Sequence, residues 1–83
     1  MDTLDRVKRI VAEEIQIDWR SINPDDDILT DLGADSLHMV NIVMNSEIEF
    51  DIRVTDEEAN DLRTTRQIAD FVTARLANAC VMA

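Results

Sequence analysis

The sequence has few of the residues that make tight turns and disulfides. Its 83 residues include one glycine, one proline and one cysteine. Hairpins need glycine-type turns, so the shortage of glycine favours helices over a sheet. Cys80 has no second cysteine to pair with, which excludes an internal disulfide and indicates a reducing compartment.

Long apolar runs are also absent. No stretch is long enough to cross a bilayer, and the first residues do not resemble a signal peptide. We therefore expect a cytoplasmic protein without membrane insertion. The hydrophobic fraction of 46% is large enough for a folded core, and the chain length predicts a single domain over residues 1–83.

Basic residues are scarce, and the acidic ones are concentrated. Eight lysines and arginines oppose 18 acids, for a net charge of −10. Residues 25–61 contain twelve acids and one base, Arg53, so this segment carries −11 and the rest of the chain +1. Such a surface repels phosphate backbones, which excludes nucleic-acid binding. It favours either a basic protein partner or a merely solvated acidic face, and the charge alone does not decide between them.

The apolar residues of the sequence recur mainly at helical spacing. Leu4, Val7, Ile10, Val11 and Ile15 recur at helical spacing and predict an amphipathic helix over residues 3–16. Residues 18–34 lack periodicity and form a long connection, in which we expect Trp19 to fill space beneath the loop.

Three further helices follow this connection. The second starts at Asp35 or Ser36 and runs to about Glu49, and a short third covers about residues 56–61. Capping-box spacing marks the third at Thr55 and Glu58, and the fourth at Thr64 and Gln67. The fold class is therefore all-α: a small four-helix bundle with three principal helices, a short third helix, and a long loop between helices one and two.

The second helix has more apolar residues than one buried stripe can use. We expect its core contribution from Ile42, Val43 and Phe50, together with Leu62, Ile68 and Phe71 from later in the chain. The remaining apolar side chains of the helix must face either solvent or a partner.

The sequence gives little support for a catalytic site or a metal-binding site. His38 is the only histidine, and two residues along a helix it does not face Ser36, so a serine nucleophile has no base. The acidic run DDDILTDLGADS lacks the ligand spacing of a calcium loop, and no metal site is predicted. The final CVMA matches a prenylation box by coincidence, and we expect Cys80 to pack as a small hydrophobe.

The remaining role for Ser36 is as the residue to which another group is attached. A helix N-terminus presents free N–H groups and a positive dipole end, which stabilise a phosphate on a serine placed there. Simple phosphorylation and attachment of a larger phosphodiester are equally compatible with this position.

The segment DLGADSLHMVNIVMNSEIEFDIRVTDEEA, residues 31–59, resembles the core of an acyl carrier protein. In that family the serine of DSL carries 4′-phosphopantetheine, transferred from coenzyme A by a phosphopantetheinyl transferase. The resemblance implies that Ser36 is the attachment residue and that the protein is a carrier, not an enzyme. It also implies partner enzymes, acyl transferases and synthases with basic docking patches, that recognise Asp35, Leu37, Val40, Met44 and Glu47. We expect the carrier to be a monomer.

Some residues depart from the family pattern. His38, Asn41 and Ile48 stand where primary fatty-acid carriers usually have acids, and Ser46 stands where an apolar residue is common. Either the carrier is specialised for a polyketide, secondary-metabolite or modified-lipid pathway, or these are ordinary divergence. Two other readings stay open: a peptidyl carrier of nonribosomal synthesis, and an acidic helical interaction adaptor without a prosthetic group.

Overall fold

The computed structural model describes the backbone of residues 2–82 and the side chains of residues 2–77. Helix α1 spans Thr3–Ile15 and is capped by Asp2, whose carboxylate accepts the N–H of Asp5 at 2.9 Å. It ends at Gln16, which adopts the left-handed conformation at φ 61°. Its buried face comprises Val7, Ile10, Val11 and Ala12.

The long loop after α1 is attached to the chain near its other end. A 3₁₀ turn, Trp19–Ser21, opens the loop, and Trp19 is half-buried against the core, as expected, with Arg9 stacked 4.8 Å from its ring. Farther along, the N–H of Ile28 donates to the carbonyl of Arg63 at 2.8 Å, and the fully buried Ile28 side chain enters the core.

Two ion pairs reinforce this attachment. Arg63 lies 3.0 Å from the carboxylate of Asp27, and Arg66 lies 2.6 Å from that of Asp25. The N–H of Arg66 also donates to the carbonyl of Pro24 at 2.9 Å. The loop is thus an ordered part of the fold, held against the segment that starts the last helix.

Helix α2 spans Ser36–Phe50 and ends at Asp51, which is also left-handed at φ 52°. Helix α3 is one short turn, Asp56–Asn60, with a reciprocal capping box between Thr55 and Glu58. Helix α4 spans Thr65–Met82. Before it, Thr64 and Gln67 exchange hydrogen bonds of 3.1 Å, so both capping boxes read from the sequence are confirmed.

The helices enclose one core, with α1 packed against both α2 and α4. Ile42, Val43, Phe50, Leu62 and Ile68 are buried as expected, and Phe71 is half-buried against them. Residues 2–82 contain no strand, only an isolated bridge between Asp27 and Thr64. The predicted all-α bundle with a short third helix and a long first loop is confirmed.

The side chains at the end of α4 and the question of a membrane span complete the description of the helices. The packing expected for Cys80 lies outside the side chains that the structure describes. Of the helices described, none combines the length and the apolar character that a membrane span requires.

Candidate attachment site

The turn before α2 fixes where Ser36 lies. Gly33 adopts φ 78°, a conformation that costs other residues about 1–2 kcal/mol. The chain then returns to the core, because Ala34 is buried and its N–H donates to the carbonyl of Ile28 at 3.1 Å. Asp35 follows as the N-cap, so Ser36 becomes the first residue of α2. The anchored loop therefore determines the position of this serine.

Ser36 is exposed at the positive end of the helix dipole. Its hydroxyl makes no hydrogen bond within the part of the chain that the structure describes. The backbone donors of the first helical turn lie next to it. The site therefore fits an esterified phosphate attached at Ser36.

His38 has a local role that the sequence interpretation missed. Its N–H donates to the Asp35 carboxylate at 2.9 Å, and its Nδ1 accepts the N–H of Asp35 at 3.2 Å, which completes a capping box. The His38 N–H, foremost, lowers the pKa of Asp35 below its ordinary value. Because Nδ1 is engaged in this way, His38 is not positioned as a base for Ser36. Glutamate or glutamine is the usual residue at this third position, so the histidine gave no capping signal.

Four large apolar side chains are exposed along α2. Leu37 is 66% exposed, Val40 and Met44 are each 52% exposed, and Ile48 is 78% exposed. We refer to these four residues as the outer stripe. Leu37, Val40 and Met44 are three of the recognition residues that the family resemblance implies. Asp35, a fourth, is exposed at the start of the same helix.

Glu47, the fifth implied recognition residue, is half-buried rather than fully exposed. Its carboxylate accepts the N–H of Val54 at 3.1 Å and so ties α2 to the segment before α3. This contact is a structural role for Glu47 that spacing along one helix does not reveal.

A cavity of about 500 Å³ opens beside Ser36, between α2 and α3. Most of its lining is apolar, from Leu29, Met39, Val40, Val43, Met44, Val54, Ala59 and Leu62. Polar groups from Glu47, Asp56, Asn60 and Arg63 complete it. An apolar chain tethered near Ser36 could enter this space, where its surface would be removed from water.

Among residues 2–77, no side chain hydrogen-bonds the Ser36 hydroxyl as a general base would. Within the described residues, no group of three or more His, Cys, Asp and Glu side chains could hold a metal ion. The arrangement combines an exposed hydroxyl, helix N–H groups, an exposed apolar helix face and an apolar cavity. Such a site can bear a group that other proteins attach and use.

Comparison with known proteins agrees with this geometry. The family model described as a phosphopantetheine attachment site matches residues 5–72. An acyl carrier protein from Trieres chinensis is 40% identical over 76 residues, which are 92% of this chain and 95% of that protein. One from Helicobacter hepaticus is 36% identical over 74 residues, covering 89% and 97% of the two chains.

A solved structure gives the same result for the fold. The acyl carrier protein from Enterococcus faecalis superposes with a TM-score of 0.75 at 26% sequence identity. The match covers 90% of this chain and 99% of that one.

Proposed function

This chain belongs to the acyl carrier protein family, and from that premise we propose that it carries acyl groups as thioesters on an arm esterified to Ser36. The cofactor of the family is 4′-phosphopantetheine, and the protein is a carrier rather than a catalyst. The observation that supports Ser36 most directly is its exposed, unbonded hydroxyl at the first residue of α2.

Attachment requires an external enzyme. The Ser36 hydroxyl must lose its proton and form a phosphodiester to the pantetheine phosphate, while adenosine bisphosphate leaves coenzyme A. His38 is already bonded to the backbone of Asp35, so the phosphopantetheinyl transferase must supply the base. The bound group then supplies a thiol for thioester formation.

The residues of the chain orient and shelter what is carried. Asp35 and His38 fix the first turn of α2, and the helix N–H groups favour the phosphate. The cavity between α2 and α3 offers apolar lining for an acyl chain between reactions. Catalysis is left to the partner enzymes.

For the pathway in which this carrier acts, we propose a broad class. Partner enzymes of fatty-acid, modified-lipid or polyketide biosynthesis fit a carrier of this kind, with acyl-transferring and synthase enzymes bearing basic docking patches. The unusual residues of α2, including Ile48 and Asn41, are compatible with a specialised pathway and with ordinary divergence. A net charge of −10 supports a monomer, since copies of the chain repel one another, and we propose a cytoplasmic location for it.

Intact-protein mass after incubation with coenzyme A and a promiscuous phosphopantetheinyl transferase tests the proposal. We expect one phosphopantetheine on the wild type and none on Ser36→Ala. Ser21→Ala is the matched control, because Ser21 is the other exposed serine and its hydroxyl donates to the Asp18 carbonyl at 2.6 Å. Loading of Ser36→Ala, or no loading of the folded wild type, would overturn the assignment.

A further inference from the structure

The outer stripe is longer than the immediate surroundings of Ser36. Its residues are spaced three, four and four apart, which places them within about 80° of one another around the helix. At the rise of an α-helix, the stripe extends about 16 Å from Leu37 to Ile48. Ile48, at its far end, is the most exposed large hydrophobic side chain in the described structure.

Three carboxylates beside the stripe are engaged within the fold. Glu47 accepts the Val54 N–H, and Glu49 pairs with Arg6 at 2.6 Å. Glu14 of α1 accepts a hydrogen bond from Asn41 at 3.0 Å. A partner facing the length of α2 therefore meets an apolar surface whose flanking glutamates already have cationic or N–H partners.

Exposed acids without such a partner among the described residues lie beyond the end of α2, at Asp51, and on the α3 side. Asp56 and Glu57 are exposed in the first turn of α3, and their side chains have no ion-pair or hydrogen-bond partner among the described residues. Asp56 lines the same cavity as Val40 and Met44, so this charge borders the outer stripe on one side.

This distribution of charge indicates which kind of molecule binds the outer stripe. A second copy of the chain is disfavoured, because each copy carries −10 and would present the same acids. An anionic lipid surface is repelled for the same reason. A protein that seats its active site over Ser36 with an ordinary footprint of about 800 Å² would cover the whole stripe.

We propose that Ile48 is a partner-specificity determinant of this carrier, and that its partner enzymes present an apolar groove to the length of α2 and basic residues to the side facing α3. The inference rests on the proposed function, since it takes enzymes acting at Ser36 as the occupants. It assigns to α2 an apolar contact, and to Asp56 and Glu57 the electrostatic contact.

The test measures KM and kcat of a phosphopantetheinyl transferase that is selective for acyl carrier proteins, with the apo-protein as substrate, and a promiscuous transferase checks that each variant can still be loaded. Ile48→Glu places a charge in the apolar groove, so we expect KM to rise by about tenfold, as for loss of one buried aliphatic contact, with little change in kcat. Ile48→Leu should retain the wild-type KM. Ile17→Glu is the matched control, because Ile17 is also exposed but lies in a separate groove with no residue of the outer stripe.

A second arm tests the charge distribution. Asp56→Asn with Glu57→Gln should raise KM at low ionic strength and flatten its dependence on salt, whereas Ile48→Leu should leave that dependence unchanged. An unchanged or lower KM for Ile48→Glu, or an equal rise for Ile17→Glu, would overturn the proposal while loading of Ser36 continues. Absence of wild-type loading would instead reject the proposed function.

Discussion

Helices α1 and α2 differ in how much of their apolar surface the fold uses. The apolar residues of α1 face the core, with Val7 and Val11 fully buried. Those of α2 divide between a buried set that includes Ile42, Val43 and Phe50, and the outer stripe, of which each member is more than half exposed. Packing in the core explains why the apolar residues of α1 are spaced as they are. It explains the spacing of only some of the apolar residues of α2.

The loop between the helices belongs with α1 in this comparison. Asp25 and Asp27 of the loop pair with Arg66 and Arg63 of the same chain, and Ile28 is buried in the core. The contrast therefore separates residues that make contacts inside the fold from residues that the fold leaves exposed. Substitutions can test that separation directly.

The largest effect on stability is expected inside α2. Ile42→Ala should lower the free energy of unfolding by about 2–5 kcal/mol, because it leaves a cavity at a fully buried position. Val40→Ala, on the outer stripe, should change it by less than about 0.5 kcal/mol. Urea denaturation followed by circular dichroism measures both. Equal losses would remove the distinction between the two faces of the helix.

Neutralising Asp27 should weaken the anchored loop in a pH-dependent way. The N–H of Thr30, foremost, and the nearby Arg63 hold the pKa of Asp27 below its ordinary value of 3.8. A lowered folded-state pKa stabilises the fold above the unfolded-state value, and this contribution is lost as the pH falls through the folded-state pKa. Asp27→Asn should therefore lower Tm at neutral pH, by less than Ile42→Ala does, and the difference from wild type should shrink as the pH falls below the ordinary pKa of 3.8.

Asp26→Asn is the control for that measurement. It removes the same charge, but the Asp26 side chain has no hydrogen-bond or ion-pair partner among the described residues. Its Tm should equal or exceed that of the wild type, because one repulsive charge is removed from an acidic segment. A matching decrease in both variants would show that the contacts of Asp27 do not stabilise the loop.

The two helix ends offer a smaller comparison. Both Gln16 and Asp51 are left-handed, a conformation that aspartate tolerates better than glutamine. Gln16→Gly should raise the free energy of unfolding by about 0.5–1 kcal/mol, and Asp51→Gly by less. Thermal or urea denaturation of the two variants checks the order, and a larger gain at Asp51 would contradict the strain argument.

The smallest change is expected at His38. His38→Ala removes the acceptor for the Asp35 N–H and should cost about 0.5–1 kcal/mol. His38→Gln should retain most of that stability, since glutamine completes the same capping box. If both variants unfold alike, the hydrogen bond from Asp35 contributes nothing measurable.

Local signals predicted much of this fold. The helix predicted over residues 3–16 is observed at Thr3–Ile15, and the one predicted from Asp35 or Ser36 is observed at Ser36–Phe50. Periodicity and capping residues act over a few positions, so a single sequence displays them. The short third helix, predicted over 56–61 and observed at Asp56–Asn60, carried its own capping box.

What escaped prediction depends on distant partners. Asp27 and Arg63 are separated by the whole of α2 and α3, and nothing in either residue type indicates the other. The contact of Glu47 with the Val54 N–H is closer in sequence but depends on how the chain turns after α2. The candidate site follows the same rule: the start of α2 was predicted locally, whereas the cavity beside Ser36 is made by two helices and the loop.

The separation of the two faces of α2 also bears on how such proteins diverge. Ile42 and Phe50 hold the helix in place, and the exposed side chains of the outer stripe take no part in that packing. After a gene duplication, substitutions at the stripe could therefore accumulate without the loss of stability that core substitutions bring. A few such changes would let two copies of one scaffold serve different enzymes within the same cell.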